Sequence, residues 1–215
     1  MRIAAIADLH GHLPPIPECD VLVIGGDVTP AHDHALEHQA TWLDTTFRAW
    51  LASAPTDHVV GIAGNHDFVF ERAPETVPTD LPWTYLNDEA ATVSGLRFWG
   101  SPWTPWFFDW AFNAPKGDVE ERFLRERYAT VPADTDIFLT HGPPAGFGDH
   151  TSSGMDVGSR AALEVVRSVQ PRLAIFGHIH EGRGRWTDGA TTLANVAAVD
   201  LQYALVDEPF VLFDL

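Results

Sequence analysis

Five apolar runs in this chain each end abruptly in residues that bind metal ions, and that pattern narrows the folds open to it. Residues 2–7 run into Asp8-Leu9-His10, residues 21–24 into Gly25-Gly26-Asp27, and residues 59–63 into Gly64-Asn65-His66-Asp67. Residues 137–140 run into His141-Gly142, and residues 173–176 into Gly177-His178-Ile179-His180. Continuous apolar runs of this length fit strands buried on both faces. In open α/β sheets a ligand binds just beyond the carboxyl ends of such strands. Five runs that deliver Asp, Asn or His at that end therefore converge on one place. The glycines let the backbone turn sharply and leave room there.

Asp8, His10, Asp27, Asn65, His141, His178 and His180 offer a neutral imidazole or an oxygen each. A lone residue of this kind at a strand end is usually an ordinary polar residue; the ordered set is not. Seven ligands suffice for two ions if one carboxylate bridges them, and Asp27, after a central buried run, is the candidate bridge. Two ions about 3.5–4 Å apart are a recurring device for phosphoester hydrolysis. Imidazole, carboxylate and amide oxygen without thiolate suit Mn²⁺, Fe or Zn²⁺ and argue against Cu(I), Fe–S clusters or a Cys-rich zinc site.

The blocks D-x-H, G-D, G-N-H-D, H-G and G-H-x-H, in this order, resemble the calcineurin-like metallophosphoesterase superfamily. The resemblance implies that Asp8, His10, Asp27 and His180 hold one ion, and that Asp27, Asn65, His141 and His178 hold the other, with Mn²⁺ the first choice of metal. It implies that His66 is not a ligand but stands beside the phosphate as general acid or charge stabiliser, oriented by Asp67. From the residues alone, Asp67 could equally cap the next turn. Residues 101–113, His141-Gly142-Pro143-Pro144 and residues 176–182 are further similar to the small MPPED-like (UPF0046) branch, associated with class III cyclic nucleotide phosphodiesterase activity. Some members of that branch carry glycine in place of the first histidine of G-H-x-H; this chain has His178.

The expected reaction is hydrolysis of a small phosphodiester, foremost a cyclic nucleotide, by a hydroxide that bridges two ions. A phosphomonoesterase, nucleotidase or pyrophosphohydrolase on the same ions is the alternative. A non-catalytic scaffold should lack ligands or His66, and here all are present. The chain has 215 residues, the size of one α/β domain over 1–215. Its formal charge of −17, from 30 acids against 13 bases, repels nucleic-acid polymers and anionic membranes. A small phosphate ester is still welcome, because bound ions supply local positive charge. Cys19 is the single cysteine, so no internal disulfide forms. With no leader pattern at the N-terminus and no long apolar stretch, the expectation is a cytoplasmic protein, monomer or dimer.

Leu36, Ala40, Leu43, Phe47 and Trp50 recur at steps of three and four, which predicts an amphipathic helix over 34–52. Further helices are expected over 117–129 and 158–169, a hairpin around Ser94-Gly95, and strands over 191–196 and 202–213. Strands alternating with helices predict a layered α/β fold, two mixed β-sheets flanked by α-helices. Four features have two readings. His32, His34 and His38 read as an exposed helix start rather than a third metal site. His12 is a candidate substrate contact. Arg183 and Arg185 either grip a phosphate or sit in a solvated turn. The aromatic run from Trp99 to Phe112 reads mostly as core or interface, with a ring near residues 103–106 on the site's rim.

Overall fold

Along β1 (Arg2–Ile6) successive side chains enter two different apolar environments. Ile3 and Ala5 face a second sheet, while Ala4 and Ile6 face helices. The same alternation runs through β2 (Val21–Gly25), with Val21 and Val23 on one side and Leu22 and Ile24 on the other. It holds again in β7 (Ile137–Thr140) and β8 (Leu173–Phe176), where Ile137, Leu139 and Ile175 face inward and Phe138 and Phe176 outward. A strand apolar on both faces must be covered on both, and the result is four layers, helix, sheet, sheet, helix.

The computed structural model describes residues 1–215. Its first sheet has the order β11–β1–β2–β3–β4, where β3 is Val59–Ile62, β4 is Thr84–Tyr85 and β11 is Val211–Asp214. The second has the order β5–β6–β7–β8–β10–β9, with β5 Glu89–Val93, β6 Leu96–Ser101, β9 Gly184–Asp188 and β10 Thr191–Asn195. Parallel strands fill both centres, and antiparallel edges at β11, β5 and β9 make both sheets mixed. At the carboxyl end of β1 the sheets are stitched together: Ala7 N donates to Val196 O at 3.0 Å and Ala198 N to Ala7 O at 2.8 Å. That seam brings the strand ends of both sheets to one rim.

The helix expected over 34–52 forms as α1 (Leu36–Trp42), a wide π-type turn (Leu43–Phe47) and α2 (Arg48–Ala52). The extra residue in the turn keeps both Leu43 and Phe47 in the core. The short α3 (Phe68–Arg72) packs beside α1. On the far side α4 (Glu120–Tyr128) and α5 (Arg160–Val169) cover the second sheet. The hydroxyl of Ser159 accepts from Ala162 N at 3.2 Å, which caps α5 and sets its start two residues after Gly158. No helix is long and apolar enough to cross a membrane.

The strand expected over 202–213 is confined to β11. Residues before it form a loop, because Asp200 Oδ1 accepts from the backbone N–H of both Gln202 and Ala204 and folds the chain into a turn. Strands β4 and β9 carried no sequence signal of their own, being respectively two residues long and exposed at an edge.

Candidate metal centre

Each expected metal-binding residue sits where its strand stops, and four of them do so in a left-handed backbone. Asp8, His10, Asp27 and His178 have φ of 53°, 44°, 52° and 69°. Non-glycine residues rarely adopt that conformation, and its cost is tolerated where the surroundings over-determine it. Here it turns the side chains sharply back toward one point. Two glycines make the crowding tolerable. A Cβ at Gly64 would lie 2.3 Å from Asp27 Oδ1, and one at Gly177 would lie 2.1 Å from Asp8 Oδ2.

The side chains form three overlapping groups, Asp8 with His10 and His180, Asp8 with Asp27 and His141, and His10 with Asp27 and His66. His10 Nε2 stands 3.3 Å from His180 Nε2 and 3.6 Å from Asp27 Oδ2. His141 Nε2 stands 2.8 Å from Asn65 Oδ1 and 3.3 Å from the same Asp27 oxygen. Asp27 thus lies between the two clusters. His178 lies beside His141, their ring centroids 5.1 Å apart, and its backbone N–H donates to both oxygens of Asp8 at 3.0 Å. All seven expected ligands therefore meet at one rim.

The ring orientations are set from behind. His141 Nδ1 lies 2.9 Å from Gly25 O and His180 Nδ1 3.1 Å from Asp200 O. A carbonyl only accepts, so each Nδ1 carries a proton and each Nε2 is the nitrogen turned to the centre, able to give its lone pair to a cation once it is deprotonated, the arrangement typical of metal-binding histidine. Asn195, fully buried, clamps the loop between His178 and His180 by donating to Ile179 O at 2.8 Å and Gly177 O at 3.3 Å.

The charge balance calls for cations. Asp8 and Asp27 are buried and have no lysine or arginine partner. Burial opposes ionisation of Asp27, but the charge of His141 and its hydrogen bond outweigh it and hold the carboxyl well below the ordinary value. Asp8 is likewise lowered, burial being outweighed by His180. Burial pushes His10 down to about 4 and His178 to about 3, so both are neutral and available as ligands near neutral pH. Burial opposes the charge on His141 too, yet Asp27 raises it to about 9. His10 Nδ1 and Asn65 Nδ2 are buried without a partner. Buried carboxylates facing inward lone pairs are costly unless a cation joins them, and the donor set fits divalent ions.

Asp67 is not where the resemblance implied. Its carboxylate accepts from Val28 N (3.1 Å), Thr29 N (2.9 Å), Thr29 Oγ1 (2.9 Å) and Gly64 N (2.8 Å), and so ties the Asp27 loop to the Asn65 loop. The ring of His66 is met instead by His34, whose Nε2 lies 3.1 Å from His66 Nδ1. The His66 backbone is pinned by Asp27 Oδ1, which accepts its N–H at 2.7 Å, and by Gln39 and Thr29, which both donate to its carbonyl. Gln39 escaped sequence reasoning because nothing local marks a buried polar residue on an amphipathic helix, and Thr29 because its partners lie across the loop after β2.

Beside the donors opens a cavity of about 350 Å³ that joins Asp27, Asn65, His66, His178 and His180 to an apolar wall. The wall includes Trp106, Phe107 and Trp110, whereas Trp99 is fully buried and Trp103 packs against Phe112 and Phe123. Tyr203 completes the wall, its ring centroid 4.7 Å from His10 and 5.2 Å from His180. His12 Nε2 lies 3.0 Å from Tyr203 O and steadies that loop. Arg183 donates to the carbonyls of Ala197 and Glu208, and Arg185 to Leu212 O at 2.8 Å, so both anchor the C-terminal segment.

Strand ends from two mixed sheets that gather carboxylate, amide and imidazole define a metal-dependent phosphoesterase. The Calcineurin-like phosphoesterase family matches residues 1–182, and the chain belongs to it. It is 36% identical to Metallophosphoesterase domain-containing protein 1 of Homo sapiens, over 98% of this chain and 70% of that protein. It is 29% identical to a UPF0046 protein of Caenorhabditis elegans, over 100% of this chain and 60% of that one. A dimetal phosphatase from Danio rerio superposes with a TM-score of 0.57 at 14% identity, over 92% of this chain and 87% of that one, a likeness of fold. The family uses a dinuclear metal site. Asn195, Asp200 and Tyr203 lie beyond the matched span yet help to build the centre.

Proposed function

We propose that the protein hydrolyses small phosphodiesters of the nucleotide type, a cyclic nucleotide foremost, with two divalent ions, Mn²⁺ by preference. Asp8, His10, Asp27 and His180 would hold one ion, and Asp27, Asn65, His141 and His178 the other. When bound, such a pair offsets phosphate charge and lowers the pKa of water enough to supply a nucleophile near neutral pH. The remaining work falls to side chains of this chain. Asn65 and His66 direct donors at the phosphate, where negative charge grows in the transition state. His66 passes a proton to the departing alkoxide oxygen as the ester P–O bond breaks. Trp106, Phe107 and Tyr203 offer an apolar wall against which a nucleobase can lie.

The composition of the cavity wall carries the preference for a diester. No lysine or arginine lines the cavity, and Glu181 does. A monoester dianion or a pyrophosphate would bring extra charge to a wall with no cationic side chain to offset it, whereas a diester brings a single negative charge that the ions meet. The same feature and the charge of −17 disfavour nucleic-acid polymers.

The test is turnover of bis-p-nitrophenyl phosphate against p-nitrophenyl phosphate by chelated protein reloaded with Mn²⁺. Faster diester hydrolysis supports the proposal and leads to a panel of cyclic nucleotides. A preference for the monoester overturns the diester reading in favour of a phosphatase or nucleotidase. Full metal loading without turnover of either overturns the general phosphodiesterase reading.

A further inference from the structure

We propose that His34 is the positioning residue of His66, and that it donates its Nε2–H to His66 Nδ1 and thereby holds His66 as the tautomer protonated on Nε2. The inference rests on the reading of His66 as the group that donates to the substrate, and it concerns which residue prepares it for that role.

The geometry carries the argument. His34 Nε2 and His66 Nδ1 are 3.1 Å apart, and no other side chain is hydrogen-bonded to the His66 ring. Nδ1 is engaged by His34, which leaves Nε2 as the free nitrogen of a ring that forms one of the three donor groups with His10 and Asp27. Asp67, the neighbour expected to orient the ring, has its carboxylate taken up by Val28, Thr29 and Gly64. Those bonds serve the pair indirectly, because they lock residues 28–29 to residues 64–67 and so fix the two loops that carry His34 and His66. The His34 ring is itself seated on Phe68, with centroids 4.7 Å apart. Trp110 packs on the other side of His66 at 4.5 Å and separates the substrate cavity from a second, open groove that His34 lines.

The chemistry decides the direction of the hydrogen bond. In a neutral imidazole one nitrogen donates and the other accepts. If His66 Nδ1 carried the proton, Nε2 would present a lone pair to an anionic phosphate and could neither stabilise charge nor supply a proton. If His34 donates, Nε2–H faces the substrate, and neutral His66 is a donor without needing to be charged. In the proton transfer His66 gives its Nε2 proton to the leaving oxygen and takes the shared proton from His34 at Nδ1, while the exposed His34 ring regains a proton from solvent at its own Nδ1, so that no imidazolate is left. His34 does not touch substrate, which distinguishes it from His66.

The experiment reads the tautomer directly, with no substrate present. In uniformly ¹⁵N-labelled, Zn²⁺-loaded protein, long-range ¹H–¹⁵N correlation spectra, with His66 assigned by its loss in His66→Gln, should show the Nε2–H pattern for His66. In His34→Ala the pattern should shift toward the Nδ1–H form or a mixture. His34→Gln, which keeps a donor at about the same reach, should restore the wild-type pattern. In parallel, His34→Ala should lose roughly 10–100-fold in kcat on an alkyl-ester leaving group, the usual range for a residue that acts through another. The loss should be under about threefold on a p-nitrophenyl leaving group, which needs no proton. An Nδ1–H tautomer in the wild type, an unchanged pattern in His34→Ala, or equal losses on both leaving groups would overturn the assignment. Because the tautomer is read without turnover, failure of the phosphodiesterase reading leaves this test intact.

Discussion

His66 and Asp67 are adjacent in the chain but do different jobs, and substitution should separate them. His66 lies at the cavity with its ring free to reach substrate, so His66→Ala should keep both metals and lose about 10²–10⁴ in rate on esters with poor leaving groups. The loss should be much smaller on a nitrophenyl ester; equal losses in a comparison of the two esters would remove the acid role. Asp67 is fully buried and accepts from four donors of the Asp27 and Asn65 loops. Burial and the nearby Asp27 raise its carboxyl to about 6, a sign of how confined that charge is. Asp67→Ala leaves several buried donors unpaired, at about 1–3 kcal/mol each, so chemical denaturation should report a loss of about 3 kcal/mol or more. Activity should then fall alike on both esters. A stable Asp67→Ala protein with a leaving-group-dependent defect would return Asp67 to the orienting role.

At the scale of elements, the apolar runs announced their own positions because each strand is buried on both faces, and their last residues announced the chemistry. β1, β2, β3, β7 and β8, and the candidate donors that gather at their ends, were therefore legible from the residues alone. What was illegible is what comes from far along the chain. Tyr203 arrives on a stretch that reads as strand and Asp200 just before it, since the turn around Asp200 depends on side-chain bonds that periodicity does not display. His34 read as an exposed helix start, and it is exposed, but its hydrogen bond spans 32 residues of sequence. The aromatic segment was half legible: Trp99 and Phe112 do fill the core, whereas Trp106, Phe107 and Trp110 turn outward to the cavity. Trp106 is held from outside, with Lys116 Nζ 4.0 Å from its ring and its backbone N–H on Glu120. Trp106→Ala should raise KM for a cyclic nucleotide about tenfold, in line with about 1–3 kcal/mol per stacked base, and leave kcat nearly unchanged. Steady-state kinetics showing a fall in kcat at constant KM would place Trp106 away from the bound base.

On the scale of the whole molecule, the centre couples folding, pH and metal. In the metal-free protein His10 is held down to about 4 and His178 to about 3, while the unfolded chain titrates them near 6.5. Below pH 6.5 the unfolded state therefore binds more protons, and stability falls as the pH drops toward 4. His141 has the opposite sign. Its folded value of about 9 contributes stability that is fully present below 6.5 and is lost as the pH rises through 9. The metal-free protein should thus be most stable near pH 6.5, with its Tm falling on both sides. Metal binding demands neutral imidazoles, so His141, and in part His180, whose value is also raised, must surrender protons on loading. At pH 7 metal uptake should release about one to two protons, read by calorimetry in buffers of different ionisation enthalpy. Reloading should raise Tm, because ions that bind only the folded state stabilise it by mass action. That gain should shrink steadily between pH 8 and pH 6, as protons compete for His141 and His180. A Tm gain independent of pH across that range would mean that the ions bind away from these histidines, and the two sheets would then be held at this rim by something other than a metal centre.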